Sequence, residues 1–398
     1  MVKKKLVFGV LHYSTSPLIG GVESVVDAQI RLLCENGHEV YSFSGNASPA
    51  LHEKHRHFHF PLLAVPAEHP HPAPEEFSSI FEQIAGLTEV LLVHNLFTMP
   101  FHPSLTQALL HLVEQAPPHL SIVNWFHDIA ILNPHYQVPE SPPFDIFHAP
   151  PASFFSKVHP VTISAHRARE WEQRFHQSPH IIPNPIDISH ILQIPPELHQ
   201  YLTTHQIYQR DLIAFHPARL VSRKNFESAL HIVAGLRDLG YSIAYLLTAS
   251  PDPHQPNDPV YHSILNTVQS LQLESSFFPI SKSMPLRTQE ISALYRIADF
   301  LLFPSTQEGF GLPVQEAILH RVPAVLSDIP PHREQPHSPL TSLFIPTSPP
   351  SPNLIQKILN FVTQAPFHSQ RKYLVHHLDL HCTYKTEYIS LIDQIKRS

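Results

Sequence analysis

Alternating strand and helix signals, repeated twice along the chain, constrain this fold more than any other feature of the sequence. Short apolar runs bounded by turn residues predict strands in the first half at residues 6–11, 40–43, 89–93, 121–125 and 161–164. A helical periodicity over 22–36 follows the first of them. The alternation restarts at residues 212–215 and continues to 324–326. Such a pattern predicts an α/β protein with parallel sheets wrapped by helices, and its recurrence predicts two Rossmann-like lobes.

The proline distribution places the predicted boundaries between these lobes. Residues 181–199 are rich in proline and are predicted to be the linker, so we assign a first lobe to residues 1–185 and a second to 186–380. An amphipathic helix is predicted over 384–395, inside a terminal segment of residues 381–398. Residues 47–74, which are rich in proline and histidine, are predicted to form a long loop.

Composition excludes several classes of function. The chain has 398 residues, which suits two domains, and its net charge of −7 argues against a nucleic-acid-binding protein. The two cysteines, Cys34 and Cys382, are too few for a disulfide framework or a structural zinc site. Neither a signal peptide nor a membrane span is readable, so we expect a cytoplasmic protein, or one peripheral to the membrane if its acceptor is a lipid.

A glycine-containing loop between a predicted strand and a predicted helix carries the strongest functional signal. Glu308 stands where the strand at 300–303 ends, and Glu316 lies eight positions later in the first turns of the helix. Two carboxylates at one edge can each bind vicinal hydroxyls of a sugar or a ribose. The amides of Phe310, Gly311 and Leu312 are free to contact a sugar or a diphosphate. The alternative to a binding role is that one of these two carboxylates caps the helix and the other is simply exposed to solvent.

Two further loops follow predicted strands. Arg219 and Lys224 come after the strand at 212–215, and a guanidinium with an ammonium group can neutralise a diphosphate. The alternative is a pair of solvated basic residues. Gly20 and Gly21 open a helix whose free amides suit an anion, although a tight turn would also require glycine there.

Histidine is unusually frequent, with 33 residues against 10 glycines and 42 prolines. His127 follows the strand at 121–125, where it could contact a bound hydroxyl or form a hydrogen bond within its loop. A metal could bind at two histidine clusters, namely His52-His55-His57-His59 and His376-His377. A simpler interpretation is that histidine replaces lysine on the surface, so that the protein gains positive charge below pH 6.

At these residues the chain resembles the retaining family 4 of the glycosyltransferases. Glu308 and Glu316 resemble its E-x7-E motif, and Arg219 and Lys224 resemble its basic pair. Gly20-Gly21 and His127-Asp128 also follow the order in which the corresponding motifs occur along chains of this family. One departure is Arg321, which stands where the family usually has glycine. The resemblance implies a GT-B fold, in which two Rossmann-like lobes face a central cleft and a terminal helix crosses back to the first lobe.

The resemblance also implies roles. Arg219 and Lys224 would stabilise the departing diphosphate, Glu308 would hold the transferred sugar and Glu316 the ribose. His127 would contact the donor sugar, and Gly20 and Gly21 would approach the phosphates. The resemblance implies as well the transfer of a hexose from a nucleotide-sugar donor, with retention of configuration. No Asp-x-Asp motif is present, so we predict that this transfer needs no divalent metal and no cofactor beyond that donor. Family frequency favours UDP-glucose or GDP-mannose as that donor.

No motif in the sequence identifies the acceptor, and a small molecule, a glycan and a lipid are all compatible with it. Three other functions remain alternatives at this stage: a sugar-nucleotide epimerase of the same fold, a sugar-binding protein without catalysis and a metal-binding protein.

Overall fold

The computed structural model describes residues 5–65, 72–249, 259–365 and 367–396. The chain divides into two compact units. The first contains Met1–Ile186 together with Leu378–Ser398, and the second contains Asp187–His377. Parts of the predicted loop at 47–74 and the residues at both chain ends lie outside the described ranges.

The first unit is built on one seven-stranded sheet. All neighbouring strands are parallel, in the order β3-β2-β1-β4-β5-β6-β7. The strands are β1 (Val7–Leu11), β2 (Glu39–Ser44), β3 (His55–His59), β4 (Val90–His94), β5 (Ser121–Phe126), β6 (Val158–Thr162) and β7 (His180–Ile181).

Side chains that alternate along these strands fill two separate cores, as expected for a sheet covered on both faces. On β4, Leu91 and Val93 pack into one apolar cluster, whereas Val90 and Leu92 pack into the other. The helices of this part of the chain are α1 (Gly21–Glu35), α2 (Ser78–Leu87), α3 (Pro103–Gln115), α4 (Asp145–His148), α5 (Ala152–Lys157) and α6 (Ala165–Phe175).

The second unit repeats the architecture with six parallel strands, in the order β10-β9-β8-β11-β12-β13. Its strands are β8 (Leu212–His216), β9 (Ile243–Leu247), β10 (Phe277–Pro279), β11 (Phe300–Phe303), β12 (Ala324–Ser327) and β13 (Ser342–Ile345). Its helices are α7 (Ile188–Ile191), α8 (Pro196–Thr204), α9 (Phe226–Asp238), α10 (Pro259–Ser270), α11 (Thr288–Ile297), α12 (Leu312–Leu319), α13 (Pro330–Arg333), α14 (Pro352–Thr363) and α15 (His368–His377).

The end of the chain returns to the first unit. It forms α16 (Leu380–Thr383), a π-helical turn (Tyr384–Tyr388) and α17 (Ile389–Ile395). Leu391, Ile392 and Ile395 are buried in the same apolar cluster as Val26 and Leu33 of α1. The returning helix implied by the family resemblance is thus present, with a π-helical turn inside it.

One prediction about an irregular segment was wrong. The predicted loop at 47–74 contains β3, whose histidines are anchored by Ser42: its Oγ lies 2.8 Å from His55 Nε2 and 2.9 Å from His57 Nδ1. The predicted linker at 181–199 does contain the boundary between the two units, which lies between Ile186 and Asp187. It also contains α7 and the start of α8, where Pro196 occupies the first turn of the helix.

None of the helices in the described part of the chain is long and apolar enough to cross a membrane.

Candidate functional site

The order of the strands in the second unit determines where a ligand can bind. In this sheet β8 and β11 are neighbours, although they are separated in sequence by β9 and β10. The loops that follow them therefore diverge from a topological switch point, where open parallel sheets bind their ligands. These two loops carry Arg219, Lys224 and Glu308.

A buried ion pair joins the two loops. Lys224 Nζ lies 2.6 Å from Glu308 Oε1, and both side chains are less than a tenth exposed. Arg223 Nη1 donates to the other carboxylate oxygen at 3.0 Å and to the Gln307 carbonyl at 2.9 Å. Since its two oxygens bind two different cations, the Glu308 carboxylate is held in one orientation.

Backbone contacts fix the same junction. The Arg223 carbonyl accepts hydrogen bonds from Thr306 N at 2.8 Å and from Thr306 Oγ1 at 3.2 Å. Asn225 adopts a left-handed conformation with φ of 53°, and its Nδ2 donates to the Pro304 carbonyl at 3.1 Å. This turn starts α9 and directs Arg223 and Lys224 toward the loop after β11.

Burial lowers the pKa of Lys224, and the hydrogen bond from Lys224 to Glu308 opposes that shift. Repulsion from Arg223 and Arg219 lowers the pKa of Lys224 further, so the Arg219 guanidinium lies near the pair although its side chain is exposed. Burial would raise the pKa of Glu308, but hydrogen bonds from Lys224 and Arg223 outweigh it and hold that pKa below its ordinary value. Glu308 is therefore ionised at neutral pH.

The charges of this cluster suit an anionic ligand. Arg219, Arg223 and Lys224 supply three positive charges, and Glu308 neutralises one of them. An excess of two positive charges remains at the edge of the sheet, which matches a diphosphate.

Glu316 is held separately, on α12. Its Oε2 accepts a hydrogen bond from Tyr295 Oη at 2.8 Å, and the Tyr295 ring stacks against His320 with centroids 5.0 Å apart. The other carboxylate oxygen, Oε1, forms no hydrogen bond with any residue that the structure describes. One oxygen of Glu316 is thus positioned by the protein, and the other is available to a ligand hydroxyl.

The glycine loop ends in a helix start without a side-chain cap. Gly311 precedes α12 and has φ of 88°. Because glycine has no side chain that could accept a hydrogen bond, the first amides of this helix are not capped by the residue before it. Phe310 and Leu312, on either side of it, are 51% and 61% exposed. A Cβ on Gly311 would lie 3.4 Å from His332 Cδ2, so the loop packs closely over that buried ring.

In the first unit, Gly20 and Gly21 lie where α1 begins, again without a side-chain cap. The carboxylate of Glu23 lies directly against Gly20, since a Cβ built there would be 2.0 Å from Glu23 Oε2. Ser14 Oγ donates to the other oxygen of Glu23 at 2.6 Å. The negative charge of the Glu23 carboxylate would repel a phosphate. The start of α1 therefore suits a ligand hydroxyl better than a phosphate.

His127 follows β5 and is partly exposed, while its Nε2 lies 3.1 Å from His94 Nδ1. Burial lowers the pKa of His127 to about 4, and so the ring is neutral at pH 7. The adjacent Asp128 accepts hydrogen bonds from Ile129 N and Asn133 Nδ2, and it forms an ion pair with Arg167 at 2.9 Å. Asp128 therefore holds its loop in place.

The histidine cluster on β3 is used internally. Both ring nitrogens of His55 and of His57 form hydrogen bonds, including His55 Nδ1 with Leu51 N at 3.0 Å and His57 Nε2 with the Asn46 carbonyl at 2.7 Å. These bonds occupy the nitrogens that a metal would need, so the hydrogen-bonding interpretation is favoured for them.

Sequence reasoning missed several residues at these sites, namely Arg223, Tyr295 and His94. Arg223 lies beside Lys224, and its basic charge was a signal that could have been used. The other two lie within a helix and at the end of a buried strand, where nothing in the sequence distinguishes them from core residues.

Residues 202–373 match the glycosyl transferases group 1 family. The matched range lies within the second unit. The matched range includes Arg219, Lys224, Glu308 and Glu316, whereas Gly20, Gly21 and His127 lie outside it. The family resemblance inferred from the motifs is thereby confirmed at the level of this family.

Two curated relatives are mannosylglucosylglycerate synthases. The chain is 24% identical over 271 residues to the one from Thermotoga maritima and 25% identical over 281 residues to the one from Petrotoga mobilis. These alignments cover 63% and 62% of the chain, and the chain spans about 60% of the length of each relative.

Among solved structures, the chain is similar to a glycosyltransferase from Rickettsia africae, with 14% identity and a TM-score of 0.41 over 99% of both chains. It is also similar to a sucrose-phosphate synthase from Thermosynechococcus elongatus, with 14% identity and a TM-score of 0.37 over 99% of this chain and 100% of that one.

Proposed function

We propose that the protein transfers a hexose from a nucleoside-diphosphate sugar to an acceptor hydroxyl, with retention of anomeric configuration and without a divalent metal. The observation that carries this proposal is the junction of Lys224, Arg223 and Glu308 at the switch point of the second sheet, within the range that matches the glycosyl transferases group 1 family. Arg219 adds a third positive charge nearby.

The chemistry follows from where charge develops. When the bond between the anomeric carbon and the diphosphate oxygen breaks, negative charge accumulates on the leaving phosphate. Lys224, Arg219 and Arg223 are in place before the reaction, and such preorganised groups stabilise a developing charge strongly. They would supply the neutralisation that many glycosyltransferases obtain from a metal ion.

The acceptor oxygen then bonds to the anomeric carbon on the face that the diphosphate leaves, and a leaving-phosphate oxygen takes the acceptor proton. Glu308, oriented by its two cations, would bind hydroxyls of the transferred sugar, and Glu316 would bind the ribose through its available oxygen. His127 would contact the donor sugar.

UDP-glucose and GDP-mannose are the first donors to test. The name shared by the two relatives specifies a mannosyl and glucosyl derivative of glycerate, so we include a glycoside of a small hydroxy acid among the acceptors, beside glycans and lipids.

The first test is calorimetric titration of the full chain with UDP, GDP and ADP and their sugar conjugates, in the presence of a chelator. We expect Lys224→Met to weaken binding of the matching nucleoside diphosphate about tenfold to a hundredfold, because a charge-assisted hydrogen bond is lost. Glu308→Gln should retain that binding and lose sugar transfer. Lys357→Met, at an exposed lysine on α14, is the matched control and should change neither.

The alternatives give different results. Binding that requires added metal, or no binding of any nucleotide sugar, would contradict the proposal. Isomerisation of the donor sugar without an acceptor would identify an epimerase, and donor binding without transfer to any acceptor would identify a sugar-binding protein. The one-bond C1–H1 coupling of the product, compared with that of the donor, reports whether configuration is retained.

A further inference from the structure

An apolar pocket of about 620 Å³ lies at the amino ends of β12 and β13 in the second unit. Its volume is within the range of pockets that bind small molecules. We call it the amino-edge pocket, and its apolar lining is formed by Ile318, Val322, Pro323, Pro336, Leu340 and Phe367. Lys224 and Glu308 follow strands of the same parallel sheet and therefore lie at its carboxyl edge, so a ligand of this pocket would not occupy the candidate donor site.

Several apolar side chains around this pocket extend into solvent. Leu340 and Phe367 are each 77% exposed, and Leu319, which follows the lining residue Ile318 in α12, is 81% exposed. Single exposed apolar residues are common, but a group of them beside an apolar pocket is typical of a surface that binds a membrane or another protein. The amino-edge pocket and these three side chains therefore form one apolar surface.

Arg321 gives this surface a positive charge. Among the described residues that line the pocket, it is the only one that is always charged, and none is a carboxylate. Its side chain is exposed and forms no hydrogen bond or ion pair with any described residue. The other polar lining groups bond within the protein: Thr341 Oγ1 lies 3.0 Å from Ser338 Oγ, and His337 Nδ1 donates to the Gln335 carbonyl at 2.8 Å. Charge complementarity thus predicts that the partner of this surface carries an anionic group.

The backbone at Arg321 shows that the end of α12 does not require an arginine. Arg321 N donates to the Ile318 carbonyl at 3.0 Å. Val322 N donates to the Ala317 carbonyl at 2.9 Å, and the two bonds form the Schellman pattern of a helix end. This pattern requires the left-handed conformation that Arg321 adopts, with φ of 58°, and glycine adopts it without strain. Phe367, with φ of 66°, is a second large residue in this conformation at the same pocket, and backbone strain of this kind is concentrated at ligand-binding sites.

We propose that the amino-edge pocket docks the second unit onto an anionic bilayer, with an acyl chain of a phospholipid in the pocket and a headgroup phosphate paired with Arg321. The inference does not depend on the proposed function. A bilayer supplies both kinds of contact, because its acyl chains can cover Leu319, Leu340 and Phe367 while its phosphates face the guanidinium. A soluble ligand confined to the pocket would leave the outer faces of these three side chains in water.

A second copy of the chain fits this surface less well. In a symmetric dimer the same patch faces itself, so each Arg321 would face a surface that has no carboxylate among its described lining residues. Burying two unpaired cations in one interface is unfavourable, whereas lipid phosphates neutralise them. We therefore assign the surface to anionic lipid.

The test is sedimentation of the full chain with vesicles of phosphatidylcholine alone and with vesicles of phosphatidylcholine mixed with phosphatidylglycerol. We expect the wild-type protein to bind the mixed vesicles and to bind the neutral ones only weakly. Arg321→Gly should weaken binding to the mixed vesicles about fivefold, because one interfacial cation is lost. Its melting temperature should equal or exceed that of the wild type, since glycine relieves the strained conformation. Arg321→Lys keeps the charge and should bind nearly as well as the wild type.

Leu340→Ser tests the apolar part of the surface and should weaken binding to the mixed vesicles about tenfold, because an inserted leucine is lost. Two matched controls carry similar changes elsewhere. Leu239→Ser alters a leucine that is 44% exposed directly after α9, and Arg169→Ala removes an exposed cation on α6 of the first unit. Both controls should bind like the wild type, so that losses confined to the Arg321 and Leu340 variants locate the surface.

Equal binding of the wild-type protein to neutral and anionic vesicles, or binding to neither, would overturn the inference, and this comparison needs no variant that could fail to fold. A dimer in light scattering that Leu340→Ser dissociates would assign the surface to a second copy and overturn it as well. Binding of short-chain phosphatidylglycerol below its micelle concentration, without binding to vesicles, would identify a soluble ligand instead of a bilayer. Failure of every nucleotide sugar to bind would contradict the proposed function alone and would leave these measurements unaffected.

Discussion

At the scale of single residues, the glycines of the loop after β11 have different roles. Gly311 has φ of 88° and packs over His332, whereas a Cβ on Gly309, two residues earlier, would meet no atom within 4 Å. The left-handed conformation costs a residue with a side chain roughly 1–2 kcal/mol. Only one of the two glycines is therefore required by the backbone.

We predict that Gly311→Ala lowers the free energy of unfolding of the second unit by about 1–2 kcal/mol and weakens donor binding, because the amides before α12 shift. Gly309→Ala is the control and should leave the unfolding free energy and donor affinity nearly unchanged. Thermal unfolding and calorimetry of the two variants check this. Equal effects of both substitutions would show that the conformation at Gly311 is not what the loop requires.

The same scale shows what the sequence could predict about the site. Lys224 and Glu308 were predictable because both follow apolar strands, and the carboxyl ends of neighbouring parallel strands meet at one edge. Arg223 as the second partner of Glu308 was not predictable, since it depends on the 3₁₀ turn Ser222–Lys224 and the left-handed Asn225. Tyr295, which donates to Glu316, was not predictable because helical periodicity marks a residue as buried without saying what it binds.

At the scale of elements, buried apolar strands were predicted well and irregular segments were not. Along β4 all five residues are buried, so apolar sequence alone identifies the strand. In contrast, β3 lies at the sheet edge and has the sequence HRHFH, which carries no apolar alternation. It forms because Ser42 binds its histidines and Phe58 stacks on Phe43 with centroids 5.4 Å apart, and such cross-strand contacts are not visible in a local pattern.

The returning segment is an element whose contribution can be tested. Leu391 of α17 is 3% exposed within the apolar cluster of the first unit, so we predict that Leu391→Ala lowers the unfolding free energy of that unit by about 2–4 kcal/mol. Both tryptophans, Trp125 and Trp171, lie in the first unit, so urea unfolding followed by tryptophan fluorescence reports that unit.

The control is Leu374→Ala, at a leucine that is 42% exposed on α15 of the second unit. Its fluorescence transition should coincide with that of the wild type. If Leu391→Ala also left the transition in place, the terminal segment would not contribute to the stability of the first unit in solution.

At the scale of the whole molecule, the abundant histidines do not serve only as surface charge. The described residues include seven buried histidines: His12, His38, His55, His94, His102, His216 and His332. The idea that histidine replaces lysine on the surface is therefore incomplete, because these rings belong to the cores and their hydrogen-bond networks.

Buried neutral histidines make stability depend on pH in a defined direction. Burial lowers the pKa of His55 to about 4 and that of His216 to about 3, below the ordinary value of 6.5. The unfolded chain therefore binds protons below pH 6.5 that the folded protein does not bind. The stabilisation is fully present above pH 6.5 and is lost as the pH falls toward 4, by at most about 1.4 kcal/mol per pH unit for each such ring.

We therefore predict that the urea midpoint of the first unit, followed by tryptophan fluorescence, decreases steeply from pH 7 to pH 5. Carboxylates with ordinary pKa values are already ionised across this range and cannot produce the decrease. In His55→Gln the ring can no longer titrate, so the pH dependence should become shallower even though stability at pH 7 is lower. His111→Gln, at an exposed position on α3, should retain the wild-type slope. A midpoint that stays constant from pH 7 to pH 5 in the wild-type protein would mean that the buried rings accept protons without unfolding, and the cores around them would then have to admit water.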